Sequence, residues 1–208
     1  MSCAILLLCA GASSRWGHPK ALLPWSDGQT LGNHLARIAL DAAIGPVIRV
    51  LGAHHLQITS SPAPAGLIDT HNPAWPDGMG SSIACGLRHA LATHPALEAV
   101  IILPCDLPLV TPSLLVTLHE HLSGQPSRIV RCDYENGTHG PPVGFVRAYF
   151  PELLALRGDA GGRAIIARHP DHVLAVPFAD GRWDLDCVGD LQRFQAATGT
   201  ALTPSLLP

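Results

Sequence analysis

The sequence predicts an α/β fold: three layers, α/β/α, around a mostly parallel sheet. Three observations predict it. Residues 5–8 (ILLL), 47–51 (VIRVL) and 99–103 (AVIIL) are short, nearly continuous apolar runs, as strands covered on both faces of a parallel sheet require. Between them lie segments with apolar residues at helical spacing, such as Leu31, Leu35 and Ile38, or Ile83, Leu87 and Leu91. The strand–helix–strand rhythm then winds such a sheet on both sides. With 208 residues, 47% of them apolar, the chain can bury one sizeable core. We read a single domain over residues 1–197 and a loose tail at 198–208.

The first strand stops at small residues: Ala10, Gly11, Ala12, Ser13 and Ser14. Arg15, Gly17 and Lys20 follow before apolar residues resume at Ala21. A buried strand opening into small residues leaves backbone N–H groups pointing outward, a concave array that binds anions and lets phosphate approach the chain. Arg15 adds a forked cation and Lys20 a point charge. The spacing matches neither GxxxxGK[ST] nor GxGxxG. The stretch reads instead as a polyphosphate loop suited to a nucleoside triphosphate.

Next, Thr30 is placed to cap a helix reaching about Ala43, which Gly45-Pro46 ends. A strand at 47–51, a short helix at 54–60 and a short strand from 67 running into His71 and Asn72 are expected. Residues 72–80 (NPAWPDGMG) are turn chemistry. Ser81 and Ser82 can cap the following helix, whose glycine-preceded N-terminus is a second place for an anion or a base. The central strand at 99–103 ends in Pro104-Cys105-Asp106. Open α/β sheets bind ligands at that end of such a strand. A carboxylate there suits Mg²⁺, which takes only one or two protein oxygens beside waters and phosphate. Thr111 and Pro112 begin a helix through Leu122. The second half is less regular. We expect strands at 128–132 and 143–146 about a turn at Asn136-Gly137, a helix over 149–156, and a strand end at 184–186 with Asp184 and Asp186 on one side.

The string L-C-A-G-A-S-S-R-W-G-x-x-K-x-L-L-P closely resembles the L-A-A-G-x-S-x-R-M-G-x-x-K-x-L-L-P signature of the MobA/MocA-like NTP transferases, nucleotidyltransferases of the molybdenum-cofactor type. Cys9 and Trp16 replace the usual Ala and Met. Residues 104–108 resemble the family's P-x-D-Q-P with Leu107 for Gln, 158–163 its G-D-x-G-A/G-R, and 184–191 its D-I-D-T-P-E-D-L, with Cys187, Val188 and Gly189 for T-P-E. The resemblance implies a Rossmann-like sheet of the nucleotide-diphospho-sugar transferase type. It further implies that Arg15 and the loop hold the phosphates, that Lys20 stabilises charge on the α-phosphate and the leaving pyrophosphate, and that Asp106 and Asp186 bind Mg²⁺. Asn72, Gly78, Ser81 and Ser82 would lie against the nucleotide, and Pro142, Asp159, Gly161 and Arg163 would face the acceptor. The implied reaction moves CMP from CTP to molybdopterin or its molybdenum complex, with a molybdoenzyme as possible recipient of the product. The alternatives are a guanylyltransferase, a sugar- or alditol-phosphate nucleotidyltransferase of the same fold, and a non-catalytic chaperone binding the molybdenum cofactor.

Charged residues are sparse at 14%, and the formal charge of −3 argues against nucleic acid or an anionic membrane as partner. No apolar run approaches the length of a membrane span, and the opening residues lack a secretory pattern. Six cysteines without a CxxC pair read as reduced thiols in the cytoplasm.

Overall fold

A computed structural model describes residues 1–25, 28–124 and 126–199. Its strands are β1 (Cys3–Cys9), β2 (Val47–Leu51), β3 (Leu67–His71), β4 (Ala99–Pro104), β5 (Ile129–Asp133), β6 (His139–Val146) and β7 (Val173–Pro177). They form one sheet in the order β3-β2-β1-β4-β6-β5-β7. Only β6 runs against its neighbours β4 and β5. The sheet is therefore mostly parallel, as the continuous apolar runs predict, and every residue of β1 is buried.

The helices are α1 (Leu31–Asp41), α2 (His55–Thr59), α3 (Met79–Thr93), α4 (Pro112–Leu122), α5 (Phe150–Leu154), α6 (Arg163–Arg168) and α7 (Val188–Thr198). Packing of α1 and α4 against each other and of α3 against α5 gives the outer layers. Thr30 and Thr111 cap α1 and α4 as expected, each hydroxyl accepting from the N–H three residues on. Leu31, Leu35, Ile83 and Leu87 fill the space beneath the helices.

One buried charge needs explaining. Arg49 lies in the middle of β2, 1% exposed, and donates to both carboxylate oxygens of Asp69, its register partner on β3. Its third nitrogen, Nη1, donates to Asn33 Oδ1 on α1, so the guanidinium is both paired and hydrogen-bonded.

The structure departs from the sequence reading in four places. Ser81 and Ser82 do not cap α3; Gly78 is its N-cap, and both serines lie inside the first turn. Residues 184–186 belong to no strand or helix, because no neighbouring strand pairs with them. Strand β7 was not foreseen: it is an edge strand beside β5 with only Val176 buried. Helix α7 runs through Thr198 and ends at left-handed Gly199, one residue into the segment read as a loose tail; residues 200–208 of that segment lie outside the described residues. No helix among the described residues is long and apolar enough to cross a membrane.

Candidate active site

The strand order turns around between β1 and β4: the chain goes from β1 outward to β2 and β3, and from β4 to the other side. At such a switch point the loops leaving the two strands part and open a crevice. A cavity of about 420 Å³ sits there, walled by the loop after β1, by Cys105 and Asp106 after β4, and by the start of α3.

The loop after β1 is held open by local bonds. Ser13 takes a left-handed conformation (φ 51°) and Gly17 another (φ 66°). The N–H of Trp16 donates to the Ser13 carbonyl, and the N–H of Lys20 to the Ser13 hydroxyl at 3.1 Å. Ala10 and Ala12 are tied to the segment after β2, through Ala53 N–H and a His54 ring nitrogen 2.9 Å from the Ala12 carbonyl. Gly11, Ala12 and Ser14 remain exposed at the mouth.

Lys20 is the centre of the site. Its Nζ donates to Asp106 Oδ2 at 3.2 Å and to Asp186 Oδ1 at 2.8 Å. Burial works against its charge, but Asp106 and the hydrogen-bonded Asp186 outweigh it, and its pKa moves up. Arg15 lies 3.8 Å from Asp186 with its side chain 76% exposed. That loose pair contributes little by itself and leaves the guanidinium free to meet a ligand.

Three distant segments are clipped together at Leu185. Its N–H donates to the Asp106 carbonyl at 2.9 Å, and its own carbonyl accepts the Trp16 indole N–H at 3.1 Å. A Met at position 16 could fill the space under the loop but could not make that bond. Asp190 then fixes Asp186 from behind, its Oδ2 accepting from the N–H groups of Asp186 and Cys187 as the third residue of a capping box. Burial opposes ionisation of Asp190; the Cys187 thiol and these N–H groups overcome it and hold its pKa below the ordinary carboxylate value. Asp184 faces the same region: burial, then Asp186 and Asp106, push its pKa up.

On the opposite wall, Gly78 and Ser82 reach the cavity. Asn72 and Ser81 lie buried behind it, and their polar atoms serve one another. The Asn72 amide donates to both serine hydroxyls and accepts from Ala74 N–H. Gly78 (φ 88°) touches the second half of the chain, since a Cβ there would fall 2.4 Å from the Gly158 carbonyl carbon. That contact brings Asp159 to the cavity rim. Gly161 (φ 50°) makes the turn beside Met79, and Arg163, first residue of α6, is exposed. Pro142 is buried in β6, and Tyr134 donates to the neighbouring Pro141 carbonyl. Burial and the charges of Cys132, Asp106 and Asp184 push the Tyr134 phenol up while Arg163 pulls it down, so these groups share one neighbourhood.

The structure thus brings Ala10, Gly11, Ala12, Ser13, Lys20, Gly78, Ser82, Asp106, Asp159 and Asp186 around one cavity. Ser14, Arg15, Gly17, Asn72, Ser81, Pro142, Gly161 and Arg163 stand outside its wall. Cavity residues that the sequence reading did not single out include His54, Trp75 and Cys105. The clustered turn residues around Trp75 and the place of Cys105 beside Asp106 at the end of the central strand were the signals in the sequence.

Asp106 and Asp186 fit a divalent cation. Their oxygens converge closely enough to share one ammonium, and Mg²⁺ asks for one or two carboxylates with phosphate and water completing the shell. Among the described residues no group of three His, Cys, Asp or Glu side chains could hold a metal. The remaining ligands would then come from substrate and water.

Residues 5–173 match the family model for the MobA-like NTP transferase domain. The chain belongs to that family. Its curated relatives include a probable molybdenum cofactor guanylyltransferase of Rhodopirellula baltica, 35% identical over 60% of this chain and 58% of the relative. A molybdenum cofactor guanylyltransferase of Xanthomonas euvesicatoria pv. vesicatoria is 31% identical over 53% and 50%. The chain therefore spans only about half the length of these two relatives. The purine catabolism protein PucB of Bacillus subtilis is 25% identical over 77% and 78%. Among solved structures, Rv0371c of Mycobacterium tuberculosis H37Rv superposes with a TM-score of 0.78 at 29% identity, covering 94% of this chain and 98% of that one.

Proposed function

We propose that this chain transfers the nucleotidyl group of a nucleoside triphosphate to the phosphate of molybdopterin or its molybdenum complex, with CTP as donor. One observation carries the reading: Lys20 is held between Asp106 and Asp186 beside the small-residue loop after β1, at the sheet's switch point. A half-buried cation there is aimed at charge that develops during transfer, the arrangement phosphoryl and nucleotidyl transfer reward most.

The acceptor phosphate oxygen attacks the α-phosphorus, and the bond from that phosphorus to the pyrophosphate oxygen breaks. An acceptor phosphate is already ionised at neutral pH, so no side chain has to remove a proton. The loop N–H groups and Arg15 orient the β- and γ-phosphates, and Lys20 stabilises charge on the α-phosphate and the departing pyrophosphate. Asp106 and Asp186 would hold Mg²⁺, which when bound neutralises phosphate charge. A structure of Rv0371c is of its manganese complex, at 27% identity and a TM-score of 0.68, and that relative lends support to a divalent cation here. Asp159 and Arg163 lie on the side assigned to the acceptor.

The base is the open half of the reading. The loop signature favours cytidine, whereas the names of the two curated relatives favour guanosine. Pyrophosphate release with Mg²⁺ and each of CTP, GTP, ATP and UTP decides it, with molybdenum cofactor as acceptor and sugar phosphates as controls. Release with CTP only when the cofactor is present supports the proposal. A GTP preference moves the chain to guanylyl transfer with the same mechanism. Nucleotide binding without release from any pair would make it a binding protein.

A further inference from the structure

We propose that Cys9 and Cys105 form an oxidisable dithiol in the wall of the active-site cavity, and that closing it into a disulfide stops nucleotidyl transfer. β1 and β4 pair in parallel with Leu8 opposite Pro104, which sets the next residues, Cys9 and Cys105, side by side. The ladder continues past the end of β4, for the Cys105 N–H donates to the Leu8 carbonyl at 3.2 Å. Neighbouring strands lie about 4.8 Å apart, inside the Cα separation of roughly 4.4–6.8 Å that a disulfide spans. The Cys105 side chain and burial together push the Cys9 thiol pKa up, and both residues line the cavity. Cys9 is 4% exposed, while Cys105 is partly exposed and is the sulfur an oxidant meets first.

With hydrogen peroxide as oxidant, the Cys105 sulfur attacks one peroxide oxygen, giving a sulfenic acid and water. The Cys9 sulfur then displaces the hydroxyl from Cys105, forming the S–S bond and releasing a second water. Two thiols lose two electrons and two protons, and one peroxide takes them up. The new bond is only about 2.05 Å long with a fixed dihedral, so it turns the Cys105 side chain into one geometry and constrains the backbone that carries the next residue. Asp106 is the next residue, and its carboxylate meets Lys20 at 3.2 Å. A displacement of about 1 Å at such a centre can cost on the order of 100-fold in rate.

The covalent part stands without the functional reading; the loss of transfer rests on it. The test treats the full chain with hydrogen peroxide, maps linked peptides by mass spectrometry without reduction, and measures pyrophosphate release before and after, then again with dithiothreitol. Cys9→Ala and Cys105→Ala are each compared with themselves with and without peroxide; Cys9→Ser and Cys105→Ser replace either one that fails to fold. The expected result is a Cys9–Cys105 linked peptide, a loss of transfer of about tenfold or more restored by dithiothreitol, and no reversible loss in either variant. Linkage to Cys187 or another cysteine, oxidation without linkage, or linkage with unchanged transfer would each overturn the proposal. If no nucleoside triphosphate turns over, the functional reading fails. The dithiol is then judged on the linked peptide and on whether oxidation abolishes the thermal shift given by Mg²⁺ and nucleotide.

Discussion

Replacing Lys20 by Met separates catalysis from stability. The variant keeps the apolar stem and removes the ammonium that donates to Asp106 at 3.2 Å and to Asp186 at 2.8 Å. For transfer, loss of one pre-aimed donor in such a site costs about 100- to 1,000-fold in kcat. For folding, the loss is far smaller. The Asp186 side chain is 49% exposed and that of Asp106 is 25% exposed, so solvent screens both partners and less than about 1 kcal/mol is at stake. In a domain of this size that is a fall in Tm below about 4 °C. Steady-state pyrophosphate release gives kcat and KM, and a thermal melt gives the second figure. A kcat within about threefold of the parent would refute the assignment of Lys20 to the transferring phosphates. A collapse of Tm by more than about 10 °C would show that the ammonium is chiefly structural.

Trp16→Phe keeps a ring beneath the loop but leaves the Leu185 carbonyl without its indole donor, a loss of about 1–2 kcal/mol. Tm should fall by roughly 2–8 °C, with kcat reduced because Asp186 loses its register; an unchanged melt and rate would show the bond to be incidental. Gly78→Ala adds a Cβ 2.4 Å from the Gly158 backbone at a φ of 88°. The cost should be about 2–4 kcal/mol, read in urea unfolding, and a neutral result would mean the two loops are not in contact. For Asp190, whose pKa is depressed, the stability it contributes is present above the unfolded carboxylate pKa of about 3.9 and is lost as pH falls through the lower folded value. The Tm gap between parent and Asp190→Ala should be constant above about pH 5 and close as acid is added towards about pH 3; a gap that widens in acid would contradict this.

Much of the half before β5 was legible because its signals are local. A continuous apolar run becomes β1 or β4 through burial alone, Thr30 and Thr111 cap helices through their own hydroxyls, and small residues after β1 make an open loop wherever they occur. β7 gave no such signal. As an edge strand with one buried residue it shows neither alternation nor a long apolar run. The meeting of Lys20 with Asp106 and Asp186 spans 86 and 166 positions along the chain. The family signature could name its members, but their distances follow only from the strand order. Trp16 reads in the sequence only as a replacement for the usual Met, because a hydrogen bond to a carbonyl 169 positions away has no mark in the local sequence. The serines at the start of α3 were misplaced for the same reason: Asn72, buried and nine residues distant, claims Ser81.

The position of Leu185 in the chain imposes an order of assembly. All seven strands, the loop after β1, Lys20 and Asp106 lie before residue 178, so they precede Asp186, the second carboxylate that meets Lys20, along the chain. Asp186 arrives with the coil that follows, seated when the Leu185 peptide joins Asp106 to Trp16. During synthesis the strands and Lys20 are therefore made before the second carboxylate that Lys20 meets. Release of that coil would disarm a folded molecule without unfolding it.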